Sequence, residues 1–584
     1  MGPAGGACYD RAVSPPEPSH SGRVETPRAI LVAVAWPYAN SPLHAGQIAG
    51  AYLPADIFTR YQRMRGQRVL MVSGSDSHGT PVTVRAEQEG VTPKEIFERF
   101  HRSFLDTFER FGISFDLFTS TDTENHVAVA QDIFLRLLEQ DFLYEAEQEL
   151  LFDPAVGRFL PDRYVEGTCP RCGYEGARGD QCDNCQSTLD ALELIDPRSR
   201  LSDATPERRW SSHFFLRLSA FTERLAEWME PRGHWRPAVR NFTFGWLREG
   251  LRDRAITRDI LWGVPIPLEG YEQKRIYVWF EAVIGYLSAT KEWAASELNE
   301  SGDANAWERW WRDPEARAFY FIGKDNVPFH TVIWPAMLMG YGGLNLPYDV
   351  PANQYLTMSG AKASSSRNWA LWMPDYLSRH DPDPLRYMLT ATMPETSDSD
   401  FTWVEFVRRN NDELLARWGN LVNRVVTFAR RHFDDRVPQP PAALSPESEA
   451  LLTRVDEAFG TVGDAFEAVQ LRRALTAAMA VAQEANRYLD DRAPWAAIRT
   501  DRAHAADTLF TALNAISGIA SLLAPVLPFT SAEAWRFVGH EAEIQAAGWR
   551  RTPVAPGTAL PEPRPLIRKL DESIIADEEA RIGG

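Results

Sequence analysis

Cysteine is scarce in this chain, with five in 584 residues. So few exclude a disulfide framework, and four of the five fall together between 169 and 185, which is a metal pattern. Long apolar runs are missing as well. No stretch reads as the ~20 apolar residues of a membrane span. The first 27 residues, rich in Pro, Gly and Ser, lack the apolar core of a signal peptide. A cytoplasmic protein without membrane contact is expected, with 1–27 a disordered tail that carries Cys8. Excess positive charge is absent too. Sixty-two Lys and Arg against 80 Asp and Glu leave a net charge of −18. That excludes a general affinity for nucleic acid and leaves RNA binding to local basic strips.

What is present is ordinary for a globular chain: 44% apolar and 24% charged residues. The length allows roughly three to five domains. The most informative stretch is Ala29 to Gln47, AILVAVAWPYANSPLHAGQ. Its opening apolar run, rich in Val, Ile and Leu, suits a strand buried on both faces of a parallel sheet. Pro37 and Pro42 end the regular structure, Asn40 and Ser41 supply turn residues, and a helical pattern starts after His44. The order strand, turn, His-x-Gly, helix sets an imidazole and an uncrowded glycine at a helix N-terminus, where free N–H groups favour phosphate.

Leu53 to Gly66 reads as an amphipathic helix with a glycine stop, and Val69 to Val72 as a second short strand. The loop GSDSHGT, 74–80, leaves its C-terminal end, where ligands bind in open α/β sheets. Asp76 and His78 there either contact a substrate or cap a turn. Glu95 to Leu138 reads as helical with a break near 112–114. Short apolar runs and turns follow, then a mostly helical, Trp-rich stretch from Leu201 to Leu251. Ala318 to Ile322 is another apolar strand, ending in Gly323-Lys324-Asp325 ahead of a buried helix over 327–340.

Cys169-Pro-Arg-Cys172 is followed nine residues later by Cys182-Asp-Asn-Cys185. Two such pairs supply the four thiolates of a tetrahedral zinc site. With no open ligand position implied, the metal would be structural; the alternative is a pair of redox dithiols. Gln354 to Arg367, QYLTMSGAKASSSR, reads as a strand followed by a small-residue loop. That loop either holds a polyphosphate on open backbone N–H groups and Lys362, or is a serine-rich surface loop. From Phe401 onward the chain is helical, broken near 437–446 and at Ala493-Pro494. Arg408, Arg409, Arg417, Arg424, Arg430 and Arg431 make a basic strip, which is either an RNA contact or a solvated face. Asn420 and Arg424 share a helix face, and Trp495 is either a stacking platform or core.

Together, the segments AWPYANSPLHAGQ, SDSHGTPV, the cysteine knuckle, AITRD, YVWFEAVIGY, FIGKDNVPFHTVIWPA, SGAKASSSRNWA, GNLVNRV and APW resemble the class I aminoacyl-tRNA synthetases. Within that class they resemble the methionyl-tRNA synthetase family, over residues 28 to about 540. The resemblance implies an α/β fold: a split Rossmann-like catalytic domain with a zinc-bearing connective insertion, then an all-α anticodon-binding bundle. The implied divisions are 28–140 and 256–345 for the catalytic halves, 141–255 for the insertion, 346–400 for the KMSKS-loop and stem region, 401–545 for the anticodon domain, and 546–584 for a Pro-rich linker and a loosely attached terminal helix.

It also implies a reaction. Methionine and ATP, with Mg2+, give methionyl-adenylate, and the methionyl group passes to the 3′-terminal adenosine of tRNA(Met). No enzyme nucleophile is needed; positioning and charge stabilisation suffice. His44, Gly46 and Gln47 stand at the HIGH signature that cradles ATP, with Ala45 and Gln47 departing from it. Gly323 and Asp325 would face the adenosine. Lys362 to Ser366 stand at the KMSKS loop, with Ser365 replacing the second lysine; His44, Gln47, Lys362 and Ser365 are the implied catalytic set. The methionine pocket would be lined by Ala35, Trp36, Tyr38, Trp279, Ala282, Val283, Tyr286, Asn326 and His330, where aromatic walls suit a thioether. Trp36, Val283 and Asn326 depart from the family's usual Leu, Pro and Ile. Asp76 would bind the substrate ammonium, with Arg258 its expected partner. Asn420, Arg424 and Trp495 match anticodon-reading positions. One structural Zn2+ and a monomer are implied. The altered HIGH and KMSKS loops leave two other outcomes open: a paralogue that activates an amino acid without charging tRNA, or a non-catalytic tRNA-binding scaffold.

Overall fold

The computed structural model describes residues 28–581, except 162–163, 180–181, 183, 186, 188 and 363–369. The expected N-terminal tail and most of the expected polyphosphate loop, Ser365 and Arg367 included, lie outside the described residues. The central sheet has five parallel strands: β1 (Ala29–Val34), β2 (Arg68–Ser75), β3 (Leu117–Ser120), β4 (Arg317–Gly323) and β5 (Ala352–Asn353). Their order is 3-2-1-4-5, so the strand order reverses between β1 and β4. That is the doubly wound arrangement, with its crevice at the reversal.

All six residues of β1 are buried, as its unbroken apolar run requires. Ile30, Val32 and Val34 feed one hydrophobic core with Phe319, Phe321 and the helical half of the chain. Ala29, Leu31 and Ala33 feed a second core with Leu70, Val72, Tyr320 and Ile322. One strand thus serves both layers of the domain through its alternating side chains.

Three expectations need correction. β3 lies inside the stretch read as helix; LFTS is too short for its period to show, and it becomes a strand by pairing with Val72 to Ser75. The stretch 201–251 is not mostly helical at its start. Glu207–Leu216 pairs antiparallel with Leu143–Asp153 over ten residues, Leu143 opposite Leu216 to Phe152 opposite Glu207. This ribbon and the small sheet of Val165–Thr168, Ala177–Arg178 and Ile195–Ser199, followed by the helices Thr222–Met229 and Pro237–Glu249, lie between β3 and β4 in the chain. Nor is the C-terminal segment loosely attached. Trp549 packs its indole on Tyr61, Phe459 and Phe466, at ring-centroid distances of 5.0, 5.3 and 5.8 Å. Glu578, in the helix Ser573–Glu579, is buried against Arg379 (2.7 Å) and His380 (2.9 Å).

The helical half begins at Trp403 and breaks where proline was expected to break it: one helix ends at His432, the next begins at Pro446, and Ala493 sits at φ +38° before Pro494. One helix, Arg502–Leu523, is long and apolar enough to span a membrane by composition, but 94% of its apolar window is buried inside the protein.

A buried ion pair ties the catalytic half to the helix that precedes the helical half. Asp56, on the helix Leu53–Met64, and Arg386, on Pro382–Ala391, are both fully buried and meet at 2.6 Å. Arg60 donates to the same carboxylate oxygen at 2.9 Å, and the Ser114 N–H and hydroxyl donate to the other, at 2.9 and 2.7 Å. The guanidinium also donates to the carbonyls of Val526 (2.7 Å), Phe111 (3.2 Å) and Pro525 (3.2 Å). Burial would raise the Asp56 carboxyl, but Arg60, Arg386 and Ser114 hold it below the ordinary aspartate range. Arg386→Met leaves this carboxylate buried with one cation fewer and is expected to cost about 3–5 kcal/mol, read as a lower urea midpoint at unchanged slope. Because the folded-state value is depressed, this contribution is complete above the ordinary aspartate value and is lost as pH falls through the depressed one.

Candidate active site

β1 and β4 diverge where the sheet reverses, and a cavity of about 660 Å³ opens there. The chain after β1 is tied to the end of β2 by backbone alone: the Asp76 N–H donates to the Pro37 carbonyl at 2.8 Å, and the Ala39 N–H to the Asp76 carbonyl at 3.0 Å. Residues from five distant stretches reach the cavity wall. They include Ala35, Trp36, Tyr38, His44, Gly46, Gln47, Asp76, Trp279, Ala282, Val283, Tyr286, Gly323, Asp325, Asn326 and His330. Arg258 is the one methionine-pocket residue expected there that does not line it.

His44 caps the helix that starts at Ala45. Its Nδ1 accepts from the Gly46 N–H at 3.1 Å, and the Gln47 side-chain oxygen accepts from the His44 N–H at 3.0 Å. This reciprocal box satisfies two of the orphan donors of the first turn. It also accounts for two of the motif's residue choices. A Cβ on residue 46 would sit 3.0 Å from the imidazole, so glycine lets the ring fold back. Gln47 closes the box by accepting a hydrogen bond, which a cationic histidine does not do. Burial lowers the His44 pKa to about 4, so the ring is neutral near pH 7. With Nδ1 accepting, its proton is on Nε2. The helix then passes through a π-helical turn, Ile48–Tyr52, before running regularly from Leu53 to Met64.

Asp76 is buried, and its Oδ1 has no hydrogen-bond partner in the protein. Burial and the nearby Glu281 push its carboxyl well above the ordinary aspartate value, while His78 opposes them. The expected pairing with Arg258 is not made. The Arg258 guanidinium donates to the carbonyls of Ala255 (3.1 Å) and Thr257 (2.8 Å) and lies 3.9 Å over the Tyr277 ring. His78 is the cation beside Asp76 instead. Its Nδ1 meets Glu281 at 2.8 Å, and the other Glu281 oxygen meets His126 Nε2 at 2.5 Å. Burial opposes charge on both His78 and Glu281. Their mutual attraction prevails, raising His78 well above and holding Glu281 well below their usual values. Sequence reasoning missed Glu281 and His126. Glu281 sits inside the VWFEAVIGY segment, and an acidic residue in an apolar run was the available signal.

The apolar wall is built around Trp36. Its indole lies between Gly74 and Gly285, where added Cβ atoms would come within 2.4 and 2.6 Å of it. The departure at Trp36 therefore depends on two glycines from other elements. On the far side, His330 Nδ1 meets the Asn326 carbonyl at 2.8 Å, so that nitrogen carries the proton and Nε2 accepts from the Tyr286 hydroxyl at 2.8 Å. Burial lowers His330 to about 4, keeping this wall uncharged. Trp279 donates its indole N–H to the Tyr38 hydroxyl at 2.7 Å. Tyr52, Phe329, Gln354, Tyr355 and Leu356 also line the cavity and were not foreseen. The Tyr355 hydroxyl donates to Asp325. Lys362 ends a short strand, Ala361–Lys362, paired with Leu356–Met358.

The family model "tRNA synthetases class I (M)" matches residues 30–426, and "Anticodon binding domain of methionyl tRNA ligase" matches 437–584. The chain belongs to the methionyl-tRNA synthetase family. It is 53% identical to a methionine–tRNA ligase of Thermomicrobium roseum, covering 95% of this chain and 99% of that one. It is 54% identical to one from Dehalococcoides mccartyi, with the same coverage. Among solved structures, the Mycobacterium tuberculosis methionyl-tRNA synthetase in complex with methionyl-adenylate superposes with a TM-score of 0.75 at 25% identity, over 93% of this chain and 99% of that one.

The two remaining features of this family member lie away from the cavity. In the helical half, Arg424 lies 5.1 Å over the half-exposed Trp495 ring and pairs with Asp490 at 2.8 Å; Asn420 is exposed one turn earlier. The wider basic strip is largely neutralised. Arg408 and Arg409 pair with Glu405 and Glu413, and Arg430 with Asp435. In the insertion, the ligand atoms of Cys169, Cys172, Cys182 and Cys185 lie within 4.8 Å of one another, with Sγ pairs at 3.9 and 3.6 Å. Four thiolates at about 2.3 Å from one ion stand about 3.8 Å apart. The Arg171 N–H points at the Cys169 sulfur at 3.4 Å, as suits a thiolate. The cluster fits one zinc ion. Elemental analysis of the purified chain is expected to give one zinc per chain, and Cys172→Ser to reduce it sharply. Five freely titratable thiols without metal, Cys8 included, would contradict the assignment.

Proposed function

We propose that the chain is a methionine–tRNA ligase, activating methionine with ATP and transferring it to the terminal adenosine of tRNA(Met). One observation carries the reading. Asp76, whose buried Oδ1 has no hydrogen-bond partner, lines a cavity that is walled also by apolar aromatic residues and by a capped helix N-terminus. A buried acceptor left unpaired costs about 1–3 kcal/mol, more when charged, and a substrate ammonium removes that cost. The thioether would lie among Ala35, Trp36, Tyr38, Trp279, Ala282, Val283, Tyr286, Asn326 and His330.

ATP would lie over His44, Gly46 and Gln47, with its adenosine toward Gly323 and Asp325. Neutral His44 donates its Nε2 proton to phosphate oxygen, and the Gln47 amide nitrogen remains available as a second donor. Lys362 and Ser365, on the loop at the KMSKS position, would meet the pyrophosphate, with Mg2+ accompanying the nucleotide. The methionine carboxylate attacks the α-phosphorus and pyrophosphate leaves, so the protein holds and neutralises the reactants without a covalent intermediate. Arg258 is better read as shaping the Tyr277 face than as holding Asp76.

Residues 28–140 and 256–345 form the catalytic halves in this reading, 141–255 the zinc-bearing insertion, 346–400 the stem region, and 401–545 the anticodon domain. Asn420, Arg424 and Trp495 would read the anticodon, and the Arg424–Trp495 contact supports this. A cytoplasmic location follows from the tRNA substrate.

Exchange of labelled pyrophosphate into ATP, run with each of the twenty amino acids, is expected to depend on methionine alone, and labelled methionine to appear in tRNA. Exchange without charging would indicate a paralogue, and neither activity would indicate a scaffold. Trp495→Ala is expected to lower kcat/KM for tRNA by the equivalent of about 1–3 kcal/mol, the worth of one base stack. Exchange should be unchanged; a loss of exchange in this variant would contradict the anticodon assignment.

A further inference from the structure

The helix Leu471–Arg492 ends in a conformation that its sequence does not favour. Its cap, Ala493, stands at φ +38° and ψ 60°, in the left-handed region, with Pro494 directly after it. Glycine takes this position without strain; a residue with a Cβ does not, and a following proline narrows its choice further. Five of the eight non-glycine residues described with positive φ are aspartates, whose short polar side chains ease such a backbone; alanine has no such means. Strain of this kind persists only where the surroundings over-determine it, and it gathers at functional sites.

Here the surroundings grip Arg492, the residue before the cap, in two places. Its guanidinium donates to Asp507 Oδ2 at 2.9 Å. Asp507 is buried in the helix Arg502–Leu523, and the same oxygen accepts from the Ser445 and Ser448 hydroxyls at 2.7 and 2.8 Å. The Tyr488 hydroxyl meets Ser448 at 2.7 Å, so three helices share this one carboxylate. The Arg492 carbonyl accepts from His504 Nε2 at 2.8 Å, and the His504 backbone N–H is itself held by Asp501 at 2.9 Å. Two residues of one helix, three apart, therefore fix both the side chain and the carbonyl of Arg492. Past the strained cap the chain turns at once: Pro494 is buried, and Trp495 stands 45% exposed. Arg424 lies over its ring and is held from the ending helix by Asp490. Backbone strain and an exposed indole both run against folding, and they fall two residues apart.

We propose that Asp507 and His504 are positioning residues for RNA recognition. By holding Arg492 they keep Ala493 left-handed, and that turn presents Trp495 beside Arg424 as a stacking face for an unpaired base. The proposal rests on the anticodon reading of Trp495 given above. Neither Asp507 nor His504 touches the RNA; both act through the ring. A pre-set face loses little freedom when a base lands on it, which is what the strain secures.

Asp507→Asn keeps the shape of the side chain and removes the charge that holds Arg492. Filter binding of tRNA(Met) to the full chain is expected to weaken by about tenfold, the scale of one base stack, while methionine-dependent pyrophosphate exchange keeps its parental rate. Trp495→Ala should weaken binding as much. The double variant, Asp507→Asn with Trp495→Ala, should bind no more weakly than Trp495→Ala alone, because the first change acts through the ring. Adding Ala493→Gly to Asp507→Asn should restore part of the affinity, since glycine holds the turn without strain. A merely structural Asp507 would give additive losses and no recovery with glycine, and that result would overturn the proposal. So would parental affinity in Asp507→Asn where Trp495→Ala binds weakly. Should Asp507→Asn not fold, His504→Ala carries the same comparisons. Parental affinity in Trp495→Ala would instead overturn the anticodon reading, and the proposal with it. Absence of exchange in the unmodified protein would defeat the ligase reading alone, since the comparisons here are of binding.

Discussion

Two backbone hydrogen bonds, from Asp76 to Pro37 and from Ala39 to Asp76, hold the turn after the first strand against the end of the second. The active-site geometry depends on them. They hold the Asp76 backbone at the cavity wall that Trp36 and Tyr38 also line. Backbone ties of this kind do not depend on side-chain identity. They position the site whatever residues line it, which is why the crevice falls at the sheet reversal, as it does in open α/β sheets generally.

Charge in the cavity is confined. His44 and His330 are kept neutral by burial, so the phosphate end works through oriented N–H groups and the thioether end stays apolar. The charges gather behind Asp76, where His78 and Glu281 hold each other ionised and His126 takes the remaining Glu281 oxygen. Of this group, only Asp76 keeps an oxygen without a partner. An ammonium bound at Asp76 would pair that oxygen, in buried surroundings that strengthen the contact.

Much of this was legible in the sequence where a local pattern and the final contact coincide. The apolar runs at 29–35 and 318–322 are central strands, and of the sixteen residues named for methionine and ATP outside the 362–366 loop, fifteen line one cavity, Asp76 among them; Arg258 stands in the next chamber. The failures have two causes, local partners left out of account and distant ones that no local pattern shows. Arg258 was matched to Asp76 by charge type, but carbonyls one and three residues back and an adjacent ring satisfy it first. Glu281 pairs across 203 residues to His78 and 155 to His126, separations that no local period reveals. The strand Glu207–Leu216 is a strand because of its partner, and the C-terminal strap is ordered by Trp549 and Glu578 finding distant sites. The arginine strip looked basic because its carboxylate partners are, in part, on neighbouring turns.

The central claim is that Asp76 anchors the substrate ammonium, and ligand binding tests it most directly. Calorimetric titration would compare L-methionine with 4-(methylthio)butanoic acid, which lacks only the amino group, in the parent protein and in Asp76→Asn. The account predicts that the parent prefers methionine by about 2–5 kcal/mol, the usual scale for a buried, hydrogen-bonded charge pair, and that the variant binds the two alike. A variant that kept the full preference would contradict it.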